Sequence, residues 1–358
     1  MAFLVVFLLF FLHIIVIPIG ISPFEAPKVM IAEIVIDILL LLKIISFKKE
    51  YLKTLIHPQA IFIGILLLLS LDQKFLFNPQ GSFFGNPYRL QGVFLFWHLL
   101  AFSCLSKNLN LEKLIKTFSP FSLIFLLMGT VILGVNQNNR SFGTLGEPNA
   151  LSATAVFIFP FIFFTKNLFF KIGSILATIL IILLSGSRAG VIAFFIQTLL
   201  ILMHSKFKIS IQKSAFLSLI LISLTLSLPL TQNLNWFENR SQVWQSAFYS
   251  GLTSPILGHG FGNIQNPIHQ TAIKLNSPIQ YQVVDSSHNF LLDFFLQGGL
   301  VGLICILILI GLSLQNYIRN KKLMELTAFL GLTTTMLFNP VSVVNLLAFW
   351  WLIGQGSD

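Results

Sequence analysis

The residues of this sequence best suited to bind a phosphate group are four of its five arginines. Arg89, Arg140, Arg188 and Arg240 fall in segments that we place on one side of a membrane, whereas Arg319 falls on the other side with almost all of the lysines. Lysines alone would satisfy the charge bias that orients a membrane protein. A planar guanidinium binds phosphate through two parallel hydrogen bonds, so the arginines predict a phosphate-binding site.

Arg188 gives the sharpest of these signals. It lies in the segment SGSRAG at residues 185–190, between two apolar runs. A charge near the hydrocarbon costs about 2.5–3.5 kcal/mol on insertion scales, and the small neighbours would let a ligand approach closely. The alternative is an interfacial arginine that reaches lipid phosphate. For Arg240 the alternative is a solvated charge on a surface helix, and for Arg89 and Arg140 both interpretations stay open.

His288 is the candidate general base, because an imidazole can accept a proton near neutral pH. Asp285 lies close in sequence and could orient the ring, although His288 could instead cap a helix or sit at the interface. Arg140 precedes the segment GTLGEPN at residues 143–149, which ends at Asn149, and both residues are candidates for supporting roles. His259 lies between two glycines and is typical of a turn.

The sequence predicts neither a metal nor a cofactor. The spacing of its histidines does not resemble a metal-binding set, and Cys104 and Cys305 lie within apolar runs, where they are typical of small core residues. No nucleotide-binding fingerprint is present.

Three acidic residues fall within apolar runs: Glu33, Asp37 and Asp293. Acids inside a membrane are often functional, but polar contacts between helices explain them equally well. Gly298, Gly299 and Gly302 follow Asp293 and predict close packing of one helix against another.

The composition indicates an all-α, polytopic integral membrane protein. The chain has 358 residues, of which 55% are hydrophobic and 9% are charged, and its mean hydropathy is +0.86. Soluble domains carry about 25% charged residues. The formal charge of +10 comes from short loops between apolar runs, so membrane orientation explains it better than nucleic-acid binding does. The first apolar run lacks a basic start and a small-residue cleavage site, so we expect no cleaved signal peptide.

The apolar runs predict about twelve transmembrane helices in a single membrane domain, residues 1–358. The candidate spans are 3–20, 29–46, 56–71, 92–106, 119–135, 149–165, 171–185, 190–204, 214–230, 288–314, 323–338 and 341–354. Residues 185–190 could alternatively form a re-entrant turn within one hydrophobic block.

The loops between these spans predict the orientation of the chain. With a cytoplasmic N-terminus, every inner loop is basic. The loop 231–287 between the ninth and tenth spans is long and extracytoplasmic, and we expect it to be partly helical. Residues 238–250 read as a short helix on which Arg240, Trp244 and Ala247 share one face.

Several short motifs in this order resemble those of the bacterial O-antigen ligase and polymerase superfamily. They are GTLGEPN at 143–149, SGSRAG at 185–190, NRSQVW at 239–244, PILGHG at 255–260, SHN at 287–289 and QGGL at 297–300. The resemblance covers roughly residues 80 to 310.

The resemblance implies a metal-independent, GT-C-like glycosyltransferase of the bacterial inner (plasma) membrane with an extracytoplasmic active site. Its donor would be a glycan on an undecaprenyl diphosphate carrier, and its acceptor lipid A-core, another glycan or a protein. Essential residues of the superfamily match Arg188, Arg240 and His288.

The sequence leaves three classes of function open. The first is glycan transfer, in which Arg188 and Arg240 hold the diphosphate with help from Arg89, and His288 activates the acceptor; a ligase and a repeat-unit polymerase need the same donor site. The second is a flippase or other transporter of lipid-linked sugar, although no inverted repeat is visible. The third is a structural membrane scaffold.

Overall fold

The computed structural model describes residues 1–18, 21–45, 64, 83–107, 109–135, 139–231 and 240–356. Within these residues the fold is all-helical, which confirms the predicted class, and the only paired extended residues form an isolated bridge between Val135 and Ser141. The helices are α1 (Ala2–Phe10), α2 (Ala26–Ile45), α3 (Val93–Ser106), α4 (Glu112–Ile132), α5 (Pro148–Phe163), α6 (Leu168–Ser185), α7 (Arg188–Ser205), α8 (Ile211–Thr231), α9 (Arg240–Leu252), α10 (Gln265–Lys274), α11 (Phe290–Arg319), α12 (Leu323–Met336) and α13 (Val343–Gln355).

Most predicted spans coincide with a helix to within a few residues, but the first does not. Its helix ends at Phe10 and is followed by a short 3-10 turn, Leu12–Ile14, and by extended backbone at Ile15. Pro18 disfavours helix at Ile17, so a helix that runs to the predicted end of this span is unfavourable. The span predicted at 56–71 lies outside the described residues except for Gly64.

Among the described residues, four helices are long and apolar enough to cross a membrane: α4, α6, α7 and α11. The apolar helices α3, α5, α12 and α13 are shorter, as is the stretch 211–227 of α8. Large aliphatic side chains such as Leu176 and Leu183 are exposed along α6, which suits a surface that faces lipid. The number of membrane crossings stays a prediction.

The helix α5 forms the centre of the bundle. Nearly all of its side chains are buried, and it packs against α4, α6 and α12. A helix that is apolar on all sides suits a position surrounded by other helices or by lipid. At the contact of α5 with α7 and α12, the buried Gln197 amide donates to the carbonyls of Val156 and Thr327. Gly331 on α12 leaves room for that amide, because a Cβ there would overlap it.

The helix α11 is kinked at Gly299, where φ is 61° and ψ is −158°. The loop after α9 fills the break: the amides of His259 and Gly260 donate to the carbonyls of Leu296 and Gln297, and the amide of Leu300 donates to the carbonyl of Pro255. The backbone groups that the kink releases are thus bonded by a loop. Gly299 therefore contacts this loop, and the predicted helix-to-helix packing at that residue is wrong.

The helices α2, α3, α5, α7, α11 and α13 all begin at one end of the bundle, which we call the arginine face. Contacts between the starting segments show that they meet there: the amide of Val343 donates to Glu25, and the Gln91 amide donates to the carbonyl of Val341. At the opposite end, which we call the lysine face, Gln355 donates to the carbonyl of Ser106. The loops that carry Lys206, Lys208, Lys321 and Lys322 lie at that end.

Candidate functional site

Arg89 is the most deeply buried arginine of the arginine face. Its side chain is paired with two carboxylates: Nε lies 2.5 Å from Oδ2 of Asp285, and Nη2 lies 3.7 Å from Oε2 of Glu147. Burial by itself lowers the pKa of Arg89, but the carboxylates of Glu147 and Asp285 outweigh burial and raise the pKa above its ordinary value. Arg89 is therefore a fixed cation that joins the segments before α5 and α11.

A tight turn before α3 presents Arg89. The amides of Arg89 and Leu90 both donate to the carbonyl of Asn86, and the Asn86 side chain donates to Gln265 of α10. Gly85 has a φ of +83°, and a Cβ on Gly92 would overlap the backbone of this turn. Glycine at both positions therefore allows the chain to double back so closely.

Two carboxylic acids beside Arg89, the buried Glu25 and the partly exposed Glu147, were not singled out by the sequence. Burial raises the pKa of Glu147 to about 7 against the opposing effect of Arg89, and it also raises the pKa of Glu25. Glu25 accepts from the amide of Val343, and Lys28 donates to the carbonyl of Thr144. Glu147 lies within the motif GTLGEPN and could have been considered, whereas the segment around Glu25 carries no recognisable pattern.

Arg140 connects the loop before α5 to the end of α6. Its Nε donates to the carbonyl of Ser185 at 2.8 Å, and its Nη2 donates to Oδ1 of Asn149 at 2.8 Å. The structure thus brings together the two residues for which the sequence suggested supporting roles. Gly186 makes this approach possible, because it has a φ of +58° and any Cβ there would lie 3.3 Å from the Arg140 side chain.

Arg188 is the first residue of α7 and lies directly after the corner that Arg140 stabilises. Gly186 ends α6 in a left-handed conformation, and the Ser187 hydroxyl caps α7 by accepting from the amide of Gly190. Residues 185–190 therefore join two separate helices. Arg188 is half-buried at a helix N-terminus, where the helix dipole and free amides favour an anion.

Arg240 is the first residue of α9, and it reaches the end of α12. Its guanidinium donates to the carbonyl of Phe338 and, at 3.2 Å, to Oδ1 of Asn339. On the same helix Trp244 and Ala247 are buried, as their predicted shared face requires. A half-buried guanidinium with these partners differs from a solvated surface charge.

His288 lies in a turn directly before α11, with a left-handed φ of 59°. The amide of His288 donates to the Ser286 hydroxyl, which in turn donates to Asp293. The amide of Ser287 also donates to Asp293, and Asn289 caps α11 through the amides of Leu291 and Leu292. Asp293 is therefore used in structural hydrogen bonds. The carboxylate of Asp285, which the sequence suggested could orient the His288 ring, is paired with Arg89 instead.

A cavity of about 580 Å³ lies between α8, α9 and the start of α11. Two of its lining residues are chain neighbours of the predicted site residues, since Ser241 follows Arg240 and Asn289 follows His288. The lining residues are Leu226, Ser241, Trp244, Gln245, Phe248, Tyr249, Asn289 and Leu292. The cavity therefore combines a mainly apolar, aromatic wall with a few polar groups, as is typical of ligand sites.

Two further polar contacts involve residues that the sequence raised, Asp37 and His259. His98 lies 3.2 Å from Asp37 and links α3 to α2, and His259 bonds to the carbonyl of Ser250 within its turn. Among the residues that the structure describes, no three His, Cys, Asp or Glu side chains form a group that could hold a metal ion. Cys104 and Cys305 are free thiols.

The fold and the site define an all-helical protein with helices able to cross a membrane and a face that carries several fixed guanidinium groups. Residues 172–307 match the family model described as O-antigen ligase, which confirms the resemblance to the O-antigen ligase and polymerase superfamily. The matched residues run from α6 into α11 and include Arg188, Arg240 and His288 but neither Arg89 nor Arg140. No curated protein matches this chain.

The family match supports a function of the O-antigen ligase or polymerase type in general. It implies a glycosyltransferase-like activity whose partners are a lipid-linked glycan and an acceptor. Together with the apolar helices it suggests an inner-membrane protein.

Proposed function

We propose that the protein transfers a glycan from an undecaprenyl diphosphate carrier to an acceptor hydroxyl at the arginine face, which lies outside the cytoplasm. Lipid A-core, another glycan or a protein are the acceptors that this chemistry can serve. The observation that carries the proposal is the cavity of about 580 Å³ flanked by the chain neighbours of Arg240 and His288.

The arginine face suits a diphosphate. Six of the described helices begin at this face, and Arg188 is the first residue of one of them, where the helix dipole favours an anion. In the proposed site the guanidinium groups of Arg188 and Arg240 converge on the diphosphate. Their charge stabilises the leaving group most as the glycosidic bond breaks, which is the condition for a faster reaction. In this mechanism the arginines supply the stabilisation that a metal ion provides in other transferases.

The proposed reaction is a substitution at the anomeric carbon. His288 accepts the proton of the acceptor hydroxyl while the hydroxyl oxygen forms a bond to that carbon. The bond between the anomeric carbon and the phosphate oxygen breaks, and undecaprenyl diphosphate leaves with the electron pair. The aromatic wall of Trp244, Phe248 and Tyr249 offers flat apolar surface beside the reacting groups.

Purified protein in proteoliposomes with a labelled lipid-linked donor tests this proposal. We expect Arg188→Ala to lower kcat about 10²–10³-fold, because a fixed charge at the leaving group is lost. The matched control is Arg319→Ala, which removes an arginine from the lysine face and should leave turnover unchanged. Full turnover in Arg188→Ala or His288→Ala would remove the role proposed for that residue.

Product analysis in the same assay separates the related reactions. A single glycan block on a new kind of acceptor indicates a ligase. A ladder of repeats that are still linked to undecaprenyl diphosphate indicates a polymerase. Movement of labelled carrier across the bilayer without any covalent product would indicate a transporter instead.

A further inference from the structure

We propose that Arg89 is a positioning residue, which holds the turn of His288 through Asp285 and Glu147 and does not bind the donor diphosphate. This inference rests on the proposed function, in which His288 activates the acceptor. It assigns Arg89 a different role from the assistance in diphosphate binding that its residue type suggested.

The partners of Arg89 leave it little charge to offer a substrate. Its side chain is only 9% exposed, and it faces the carboxylates of Asp285 at 2.5 Å and Glu147 at 3.7 Å. The buried Glu25 is a third acid beside it, and Lys28 adds a second cation. Asp285, in direct contact with Arg89, offsets the charge of the guanidinium, and Glu147 and Glu25 add negative charge only when they are ionised.

The ion pair with Asp285 fixes the beginning of the turn that carries His288. The end of the same turn is fixed by Asp293, which accepts from the Ser286 hydroxyl and the Ser287 amide. Between these two anchors His288 adopts a left-handed φ of 59°, a conformation that a histidine keeps only where its surroundings impose it. Arg89 is therefore one of the groups that hold the turn of His288 in place.

The turn that carries Arg89 is itself tied to three other parts of the molecule. Asn86 bonds to Gln265 of α10, Gln91 bonds to the carbonyl of Val341 before α13, and Glu147 stands at the start of α5. Arg89 therefore fixes the His288 turn relative to α5, α10 and the segment before α13. A residue whose role is to bind the donor diphosphate would not need to be anchored by two carboxylates.

Kinetics of Arg89→Lys, Arg89→Gln and Asp285→Asn distinguish the two roles. If Arg89 positions His288, Arg89→Gln lowers kcat by about 10²-fold, the usual effect of a misplaced group, with the donor KM unchanged. Asp285→Asn then gives a similar loss, and the double variant is no worse than either single variant, because both break one contact. Arg89→Lys retains a cation without the fork and should recover part of the kcat.

A second measurement does not depend on activity. Diethyl pyrocarbonate modifies accessible imidazoles, and its reaction at His288 can be followed by peptide mass spectrometry. We expect Arg89→Lys and Asp285→Asn to increase the modification rate of His288 several-fold, because the half-buried turn loosens. The control Arg319→Lys should leave that rate unchanged, and thermal unfolding in detergent confirms that each variant is folded.

The two measurements separate a failure of the proposed function from a failure of the positioning role. If the wild type transfers no glycan but the modification rate responds as expected, the proposed function fails while the positioning role stands. A raised donor KM with unchanged kcat in Arg89→Gln, or an unchanged modification rate in both Arg89→Lys and Asp285→Asn, would overturn the positioning role.

Discussion

The four arginines of one face differ in what their guanidinium groups touch. Arg89 is neutralised by carboxylates, Arg140 bonds a carbonyl and Asn149, Arg240 bonds a carbonyl and Asn339, and Arg188 stands on a helix N-terminus. The sequence could predict that arginine on this side has a purpose, because residue type and loop position are visible in it. The sequence could not assign different roles to the four arginines, because the partners of Arg89 lie 58 and 196 residues away in the chain.

The carboxyl of Glu147 gives the folded protein a pH dependence. Its pKa is raised to about 7, first by burial and then by Glu25 and Asp285, against Arg89 and Arg140. A raised pKa means that the folded state holds the proton more tightly than the unfolded chain, whose value is near 4.5. The stability that this proton contributes is complete below about 4.5 and is lost as the pH rises through about 7.

We therefore expect Glu147→Gln, which cannot ionise, to gain melting temperature relative to the wild type as the pH rises from 5 to 8. Thermal unfolding in detergent at several pH values measures this difference. Glu112→Gln is the control, because it removes an exposed carboxylate at the lysine-face start of α4 and leaves the Arg89 cluster intact. A constant difference between Glu147→Gln and the wild type would contradict the prediction.

At the scale of the elements, the sequence predicted where most helices lie but not how α11 bends. Apolar runs separated by polar loops define helices because each helix bonds its own backbone in an apolar surrounding. The kink depends on a contact with the loop at residues 255–260. That loop is distant in sequence from the motif QGGL, so nothing in the motif indicates the kink. Gly298 and Gly299 therefore looked like a close helix contact, and Gly258 looked like an ordinary turn residue.

The kink at Gly299 predicts what happens when a glycine of α11 is replaced. Gly299→Ala would place a Cβ against the carbonyl of Ile256 in a left-handed backbone, so it should destabilise the fold by more than about 1 kcal/mol. Gly311→Ala on the same helix is the matched control, because a Cβ there meets nothing within 4 Å. Thermal unfolding should show a clear loss for Gly299→Ala and little change for Gly311→Ala. Equal melting temperatures for the two variants would mean that the loop does not hold the kink.

At the scale of the whole molecule, charge type separates the two ends of the bundle. Lysines follow the ends of α3 and α7, and the four arginines lie at the opposite end, before α3 and α5 and at the first residues of α7 and α9, together with Lys28. Loop charge and apolar length predicted this grouping, and which end faces the cytoplasm stays a prediction. The convergence of Arg188, Arg240 and His288 in one pocket stays a prediction, because residue type in loops does not say which way a side chain turns.

The orientation of this bundle in the membrane can be tested by thiol labelling. Positive loops remain in the cytoplasm, so the lysine face should be cytoplasmic and the arginine face should lie outside. Tyr281→Cys and Lys206→Cys place exposed thiols on the arginine and lysine faces respectively, in a background where Cys104 and Cys305 are serine.

In intact spheroplasts a membrane-impermeant maleimide should label Tyr281→Cys, and it should label Lys206→Cys only after the membrane is opened. Inverted vesicles provide the control, because they should give the reverse order. Labelling of Lys206→Cys in intact spheroplasts would place the arginine face in the cytoplasm. A donor glycan presented outside could not then reach Arg188, so the same result would remove the proposed reaction along with the proposed orientation.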